Sequence, residues 1–160
     1  MFERFDAPEQ VFTYRLGSAL HMEQGSLKML NELSAAAGDS GVKELLTQHI
    51  HETEHQVENL SRVFDLMNID AEDNPSPTTK GLESEGESLV RKAEPPVIDD
   101  VVLAAALGAE HYEQAAYESL IITANALGRD DVAALLDENL SQERHAAEAL
   151  RQKARELATR

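Results

Sequence analysis

Two glutamates interrupt the apolar face of one long helical segment of this sequence. Within AEHYEQAAYESLI, residues 109–121, Glu110 and Glu113 occupy the same stripe as Tyr117 and Leu120. Residues three and four positions apart share one face of an α-helix, so both acids are expected to point towards the core. Because an unpartnered buried carboxylate costs several kcal/mol, another group must offset their burial.

The same interruption occurs in two other segments. Glu23 lies on the apolar stripe that contains Leu16, and Glu143 continues the stripe of Leu136 and Leu140. A single acid of this kind is usually a solvated edge residue. Three interrupted stripes instead predict that the acids meet inside one helical bundle.

Equal distances from the connecting turns predict that these acids share one height in the bundle. Antiparallel helices both rise about 1.5 Å per residue, so residues equally far from a tight turn lie opposite each other. By this rule Glu23 faces approximately residues 53–57, and Glu113 faces approximately residues 143–147. Glu143 falls inside the second window, so we predict a single layer of carboxylates.

The segment opposite Glu23, HETEHQVENL, offers several ligands, and only some of them face inward. On a helical wheel Glu52 lies near the edge of the core face and Gln56 lies moderately inside, whereas His55 points to solvent. Glu52 is therefore the favoured ligand from this helix, with Gln56 as its neighbour or a weak ligand. His49 faces inward but lies about two turns, roughly 10 Å, from the layer, so it is predicted to belong to the core or to the surroundings of the site.

The chemistry that such a layer supports is metal binding. Carboxylates that converge in a dry core cannot all ionise unless cations lie between them, and hard oxygen ligands suit iron, manganese, magnesium and calcium. Carboxylates from four helices fit a dinuclear iron or manganese centre. The alternative is that the acids are protonated, or are edge residues paired with Arg, but few Lys or Arg residues lie on these stripes. Tyr117 can hydrogen-bond a ligand, although a packed core tyrosine is the more common situation.

Four long helices and one short helix must position these residues. Gly and Pro clusters separate the periodic segments, and the predicted helices span residues 7–37, 40–67, 80–93, 99–127 and 131–160. Asp6 is expected to cap the first helix, with Pro8 in its first turn. No segment alternates with period two over a useful length, so the chain is predicted to be all-α.

The spacing of the helices predicts their connectivity. Short turns make the first two long helices antiparallel neighbours, and likewise the last two, while about thirty residues containing the short helix join the two hairpins. We therefore expect one domain over residues 1–160. Its expected fold is a ferritin-like four-helix bundle whose long crossover carries the short helix.

The composition limits the partners and the compartment. The 160 residues carry a net charge of −16, which argues against nucleic acid and anionic membranes as partners and attracts cations. The chain has no cysteine, so thiolate sites and disulfides are excluded. No signal peptide and no apolar stretch long enough for a membrane span is recognisable, and a cytoplasmic protein is expected.

Four stretches of the chain resemble, in order and spacing, the YciE/YciF-like stress-associated proteins of the ferritin-like superfamily. They are HIHETEHQVENLSRVF, GLESEGESL, AEHYEQAAYESL and ENLSQERHAAEAL, and the resemblance extends over about residues 16–150. It implies a rubrerythrin-like bundle, usually dimeric, with a carboxylate-rich site for two metal ions. The ligands that it implies are Glu23, Glu52, Glu110, Glu113 and Glu143, with Gln56 in or next to the site and Glu85 as an additional ligand.

One position departs from the pattern of rubrerythrins and ferritins. Those proteins have a histidine three residues after the glutamate of the fourth long helix, where this chain has Ala146. The site is therefore expected to be poorer in nitrogen ligands, which leaves the reaction open.

The acids and the resemblance together predict a dinuclear iron (or iron–manganese) centre that reacts with O2 or peroxide and protects against oxidative stress. Because the chain lacks cysteine, and hence a rubredoxin module, electrons are expected from a separate donor. The alternatives are a metal-binding protein without turnover and a structural helical dimer in which any metal only stabilises the fold. The sequence leaves open whether the chain is an enzyme.

Overall fold

Five helices make up the computed structural model, which describes residues 4–159. They are α1 (Pro8–Ala36), α2 (Ser40–Met67), α3 (Pro77–Val90), α4 (Ile98–Ala126) and α5 (Asp130–Ala158). No strand occurs in the described residues, which confirms the predicted all-α class. None of these helices combines the length and the apolar character that crossing a membrane requires. Residues 1–3 and 160, which the predicted domain and last helix include, lie outside the described residues.

The four long helices form a closed ring of neighbours. The hairpins α1–α2 and α4–α5 pack against each other so that α2 contacts α5 and α1 contacts α4. Helix α3 lies on α1 and α4, on the side of the bundle away from the α2–α5 face. The predicted four-helix bundle with a helical crossover is therefore confirmed.

Local capping explains where the helices begin. The Asp39 side chain accepts hydrogen bonds from the backbone N–H groups of Gly41 and Val42 and so caps α2. The prediction that Asp6 caps α1 is wrong, because the capping residue is Ala7 and no side chain caps that end. Proline at the first turn instead starts α1, since its missing N–H costs nothing there.

The short crossover helix begins earlier than its predicted start at residue 80. Pro77 stands in its first turn, and the Ser76 hydroxyl accepts a hydrogen bond from the N–H of Thr79. Both features stabilise a helix start. The crossover is held closely against α1, since a Cβ added at Gly25 would collide with the Glu83 side chain.

Two apolar clusters fill the bundle, one on each side of a polar layer. One contains Phe12, Leu16 and Phe64, and the other contains Leu30 and Leu103. Glu23 lies between Leu16 and Leu30 along α1, so the polar layer is sealed above and below by apolar side chains. The apolar clusters supply the burial that holds the bundle together, and the layer between them is the candidate functional site.

Candidate metal centre

Four side chains converge in the middle of the bundle. His49 of α2, Glu110 and Glu113 of α4 and Glu143 of α5 each present one ligand atom, and these four atoms all lie within 4.8 Å of one another. All four residues are buried, with Glu110 and Glu143 completely inaccessible to solvent. We call this set the core cluster. The three glutamates that interrupt the stripes of α4 and α5 thus meet as the helix geometry predicts.

Glu23 brings α1, the remaining long helix, to the edge of the core cluster. It is completely buried, and its Oε1 accepts a short hydrogen bond from the hydroxyl of Tyr117, while its Oε2 has no partner. Burial and the charge of Glu113 raise the pKa of Glu23 well above its ordinary value. Tyr117 is therefore a core tyrosine that also holds a carboxylate of the site.

His49 belongs to the core cluster, and the prediction that it lies about two turns away is wrong. Its Nε2 lies 2.9 Å from Oε1 of Glu110 and 3.6 Å from Oε2 of Glu143. The predicted distance of two turns takes the height of the site from Glu23 on α1. The height of α4 against α2 is instead fixed by the Asp99 carboxylate, which accepts a hydrogen bond from the backbone N–H of Asp39.

From that link, the height of His49 follows directly. His49 comes ten positions after Asp39, and Glu110 comes eleven positions after Asp99. Because α2 and α4 both run away from the linked end and each residue adds about 1.5 Å, these two residues lie at nearly the same height. The site thus extends along the bundle axis from Glu113 towards His49 and is not a single flat layer.

Glu52 and Gln56 lie beside the core cluster in different ways. Glu52 is partly exposed, and its two carboxylate oxygens accept hydrogen bonds from His49 Nδ1 at 3.2 Å and Gln48 Nε2 at 3.0 Å. It orients the imidazole, and it is not one of the four converging residues. Gln56 is completely buried, and neither its amide oxygen nor its amide nitrogen has a hydrogen-bond partner.

His55 pairs at the surface with Glu138 of α5, consistent with its predicted outward direction.

The prediction that Glu85 is an additional ligand does not fit the structure. Glu85 lies on the exposed side of α3, whereas the next residue, Gly86, is buried and faces Ala105 of α4. Successive helical residues are turned by about 100°, so the burial of Gly86 directs the Glu85 side chain outward.

Two asparagines that sequence reasoning missed support Tyr117. Asn139 Nδ2 donates to the Tyr117 hydroxyl at 3.0 Å and to the backbone oxygen of Gln56 at 3.2 Å, and Asn59 Nδ2 donates to Asn139 Oδ1 at 2.9 Å. Both asparagines are buried. A signal was present in the sequence, because Asn139 precedes Glu143 by four positions and therefore interrupts the same stripe.

The protonation of the core cluster reflects an excess of buried acids. Burial first and the charge of Glu110 second raise the pKa of Glu113 to about 7, and burial with the charge of Glu113 raises the pKa of Glu143 well above its ordinary value. Burial lowers the pKa of His49, but the charge of Glu110 and hydrogen bonds outweigh it and raise that pKa to about 10. Without a bound cation Glu113 and Glu143 therefore hold protons that ordinary carboxyl groups would lose.

The inward-facing atoms of the core cluster lack the hydrogen bonds that buried polar groups normally make. Both carboxylate oxygens of Glu110 and Glu143, Oε2 of Glu113 and Nε2 of His49 have no hydrogen-bond partner of good geometry. Such groups are rare in folded proteins and call for a specific explanation, of which an ion is one. Carboxylate oxygens and an imidazole nitrogen are together suitable ligands for iron, manganese or zinc.

Comparison with known proteins places this geometry in a family. Residues 7–160 match the family described as a domain of unknown function, DUF892. Protein YciF of Escherichia coli (strain K12) is 29% identical over 138 residues, which are 85% of this chain and 83% of YciF.

Solved structures give the same architecture. The fold resembles that of the E. coli stress protein YciF with a TM-score of 0.93 and 26% identity, covering 98% of this chain and 99% of that one. It also resembles YcfI of Rhodopseudomonas palustris, which carries a structural-protein designation, with a TM-score of 0.90 and 31% identity over 94% of this chain and 98% of that one. A Xanthomonas campestris protein shares the fold at 20% identity, with a TM-score of 0.74.

Proposed function

The chain belongs to the DUF892 family, and we propose that it is a metalloprotein that binds two divalent transition-metal ions in the core of its bundle. Iron is the first candidate and manganese the second. The observation that carries the proposal is the set of buried carboxylate and imidazole atoms in the core cluster, which lie within 4.8 Å of one another and, apart from the close pair of His49 and Glu110, have no polar partner of good geometry.

The balance of charge favours two ions. Among the described residues the buried charged side chains are the four glutamates Glu23, Glu110, Glu113 and Glu143, and the only buried basic residue is His49. Four ionised carboxylates carry four negative charges, which two divalent cations neutralise while His49 remains neutral and able to coordinate. One divalent ion would leave two buried negative charges, which is costly in a dry core.

The residues proposed as ligands are the four glutamates and His49, with Gln56 adjacent. Glu52 holds Nδ1 of His49, so that Nε2 is directed to the core cluster, an arrangement typical of histidine ligands. Tyr117 fixes one oxygen of Glu23 and leaves the other for a metal. Apolar side chains on both sides exclude water from the site.

The reaction proposed at this centre is the reduction of a small oxidant. Two ferrous ions, when bound, supply the two electrons that convert hydrogen peroxide and two protons into two water molecules. The chain has no cysteine, so a separate protein or small molecule returns the electrons. A cytoplasmic homodimer that takes part in stress protection completes the proposal, in keeping with the description of E. coli YciF as a stress protein.

A second candidate function is structural. YcfI of R. palustris carries a structural-protein designation, and a core metal that only stabilises a helical dimer fits that description. The two candidates differ in whether the metal-loaded protein consumes an oxidant.

The test begins with the metal content of protein purified without chelators. Metal analysis is followed by anaerobic titration with Fe²⁺ or Mn²⁺, and then by O2 or hydrogen peroxide while near-ultraviolet absorption is recorded. Two ions per chain and oxidant consumption are expected. Free metal at 100 times its Kd is expected to stabilise the fold by about 2.7 kcal/mol for each occupied site. The absence of bound metal together with an unchanged Tm would overturn the proposal, and binding without oxidant consumption would favour the structural candidate.

Matched variants locate the site. His49→Gln is expected to weaken metal binding by about tenfold or more, whereas His51→Gln, an exposed histidine on the same helix, is expected to leave it unchanged. Glu113→Gln and the exposed Glu85→Gln form the corresponding acidic pair. Equal effects within either pair would mean that the metal binds elsewhere.

Light scattering of the protein as it elutes from a column measures its mass and so tests the proposed dimer.

A further inference from the structure

A small cavity lies between α2 and α5, on the side of the bundle that α3 leaves uncovered. Its volume is about 40 Å³, and its wall includes His49 and Glu52 from α2 and Ala146 and Ala149 from α5. It opens to the surface, because the neighbouring side chains Gln48 and His145 are exposed. We call it the α2–α5 cavity.

The imidazole of His49 separates this cavity from the glutamates of the core cluster. Its Nδ1 contacts Glu52, which lines the cavity, and its Nε2 approaches Glu110 and Glu143 inside the bundle. A molecule in the α2–α5 cavity therefore touches His49 and is one aromatic ring away from the proposed carboxylate ligands. Three larger surface depressions elsewhere, of 240 to 370 Å³, include no residue of the core cluster in their walls.

The size and lining of the cavity restrict what it can hold. Roughly 10–15 Å³ of cavity suffices for one water molecule, so a cavity of 40 Å³ accepts a molecule of a few heavy atoms and excludes larger organic compounds. Leu45, Leu150 and the two alanines make much of the wall apolar. The carboxylate of Glu52 and the overall charge of −16 disfavour anions.

We propose that the α2–α5 cavity is the binding and entry pocket for a small uncharged oxidant, O2 or hydrogen peroxide, next to the core cluster. The inference rests on the proposed function for the fate of the oxidant, but occupancy of the cavity can be measured without metal. Ala146 and Ala149 determine its size, since a larger side chain at either position fills the space. Ala146 occupies the site-facing position of α5 three residues after Glu143.

The first experiment uses dissolved O2 as the probe of the metal-free protein. O2 is paramagnetic and accelerates the relaxation of nearby methyl groups in nuclear magnetic resonance. Under O2 pressure we expect the methyl groups of Leu45, Ala149 and Leu150 to relax at least about twofold faster than those of Leu46 and Val102. The reference residues are fully buried and do not line the cavity. Equal enhancement of both groups would overturn the pocket as an O2 site, whatever the metal content.

The second experiment fills the cavity in the metal-loaded protein. Ala149→Leu is expected to remove the local O2 effect and to slow oxidation of bound Fe²⁺ by hydrogen peroxide or by O2 about tenfold, with the affinity for Fe²⁺ unchanged. Ala154→Leu is the matched control, because Ala154 is a partly buried alanine of the same helix outside the cavity. The oxidant whose rate falls is the one that uses the pocket. Unchanged rates with both oxidants in a variant that binds iron would overturn the entry role.

The two experiments separate the inference from the proposed function. If no metal binds, the proposed function fails while the O2 measurement still decides whether the cavity takes a small uncharged molecule. If metal binds and is oxidised but Ala149→Leu behaves like Ala154→Leu, the pocket fails and the metal centre stands.

Discussion

Replacing one buried acid with its neutral isostere is expected to stabilise the metal-free protein. Glu113 is 2% exposed, and burial with the charge of Glu110 raises its pKa from the ordinary value of 4.5 to about 7. The folded state therefore holds a proton that the unfolded chain releases between these two pH values. Stability falls as the pH rises through this window and becomes constant above it. Glu113→Gln removes the ionisation and with it the loss.

The magnitude follows from the shift of about 2.5 pH units. Each unit corresponds to about 1.36 kcal/mol, so at pH 8 the variant is expected to be about 3 kcal/mol more stable than the wild type. For a chain of this size that gain raises Tm by roughly 6–12 °C. At pH 5.5 most of the penalty has not developed, and the expected gain is about 1 kcal/mol.

The assay is urea or thermal unfolding in the presence of a chelator at pH 5.5 and pH 8. Lower pH is unsuitable, because the sequence pI is about 4.6 and a protein with no net charge tends to associate. Glu118→Gln is the control on the same helix. Glu118 is exposed and pairs with Arg144, so its replacement is expected to change stability by less than about 1 kcal/mol at both pH values.

Two results would refute this reasoning. One is a Glu113→Gln variant that is no more stable than the wild type at pH 8 without metal. The other is a gain that does not shrink between pH 8 and pH 5.5, since it would then come from packing and not from the ionisation of a buried carboxyl group. Addition of Mn²⁺ is expected to reverse the order, because the variant lacks a ligand that the wild type offers.

Three further predictions test the contacts around the site. The raised pKa of His49 keeps its imidazole protonated at neutral pH, and a bound metal must displace that proton, so the affinity for Mn²⁺ is expected to rise between about pH 6 and pH 8. Calorimetry in two buffers of different ionisation enthalpy is expected to show the release of about one proton or more. An affinity that does not depend on pH would contradict this prediction. Tyr117→Phe removes the hydrogen bond to Glu23 and is expected to lower the free energy of unfolding in urea by about 1–2 kcal/mol and to weaken metal binding. If both the unfolding free energy and the metal affinity are unchanged, Tyr117 does not support the site. Asp39→Ala removes the cap of α2 and is expected to cost about 1 kcal/mol, whereas Asp39→Asn retains a capping oxygen and most of the stability.

Periodicity was sufficient to predict the architecture. Each long helix has an apolar stripe, and α1, α2 and α4 end at a Gly-containing or Pro-containing connection, so helix bounds and the bundle follow from local sequence. The errors lie at helix starts, where single side chains decide. Asp6 looked like a cap but Ala7 holds that position, and Ser76 with Pro77 begins α3 three residues before its predicted start.

The acids of the site were also visible in the sequence, for a physical reason. A carboxylate on an apolar stripe is costly to bury wherever the helix packs, so Glu110, Glu113 and Glu143 could be recognised as candidate site residues from the sequence alone. Glu85 lacked this signal, and only the resemblance suggested it. Its exposed position on α3 agrees with the absence of this signal and does not support the ligand role that the resemblance implies.

Sequence alone determined which helix faces are buried and which acids interrupt them, because rotation about a helix axis follows from residue spacing. The tertiary structure alone decided the height of one hairpin against the other. That height depends on long-range contacts such as Asp99 with the backbone of Asp39, and it brings His49 to Glu110. The same packing leaves a cavity over Ala146 and Ala149, since the space between two helices depends on both partners and on their offset.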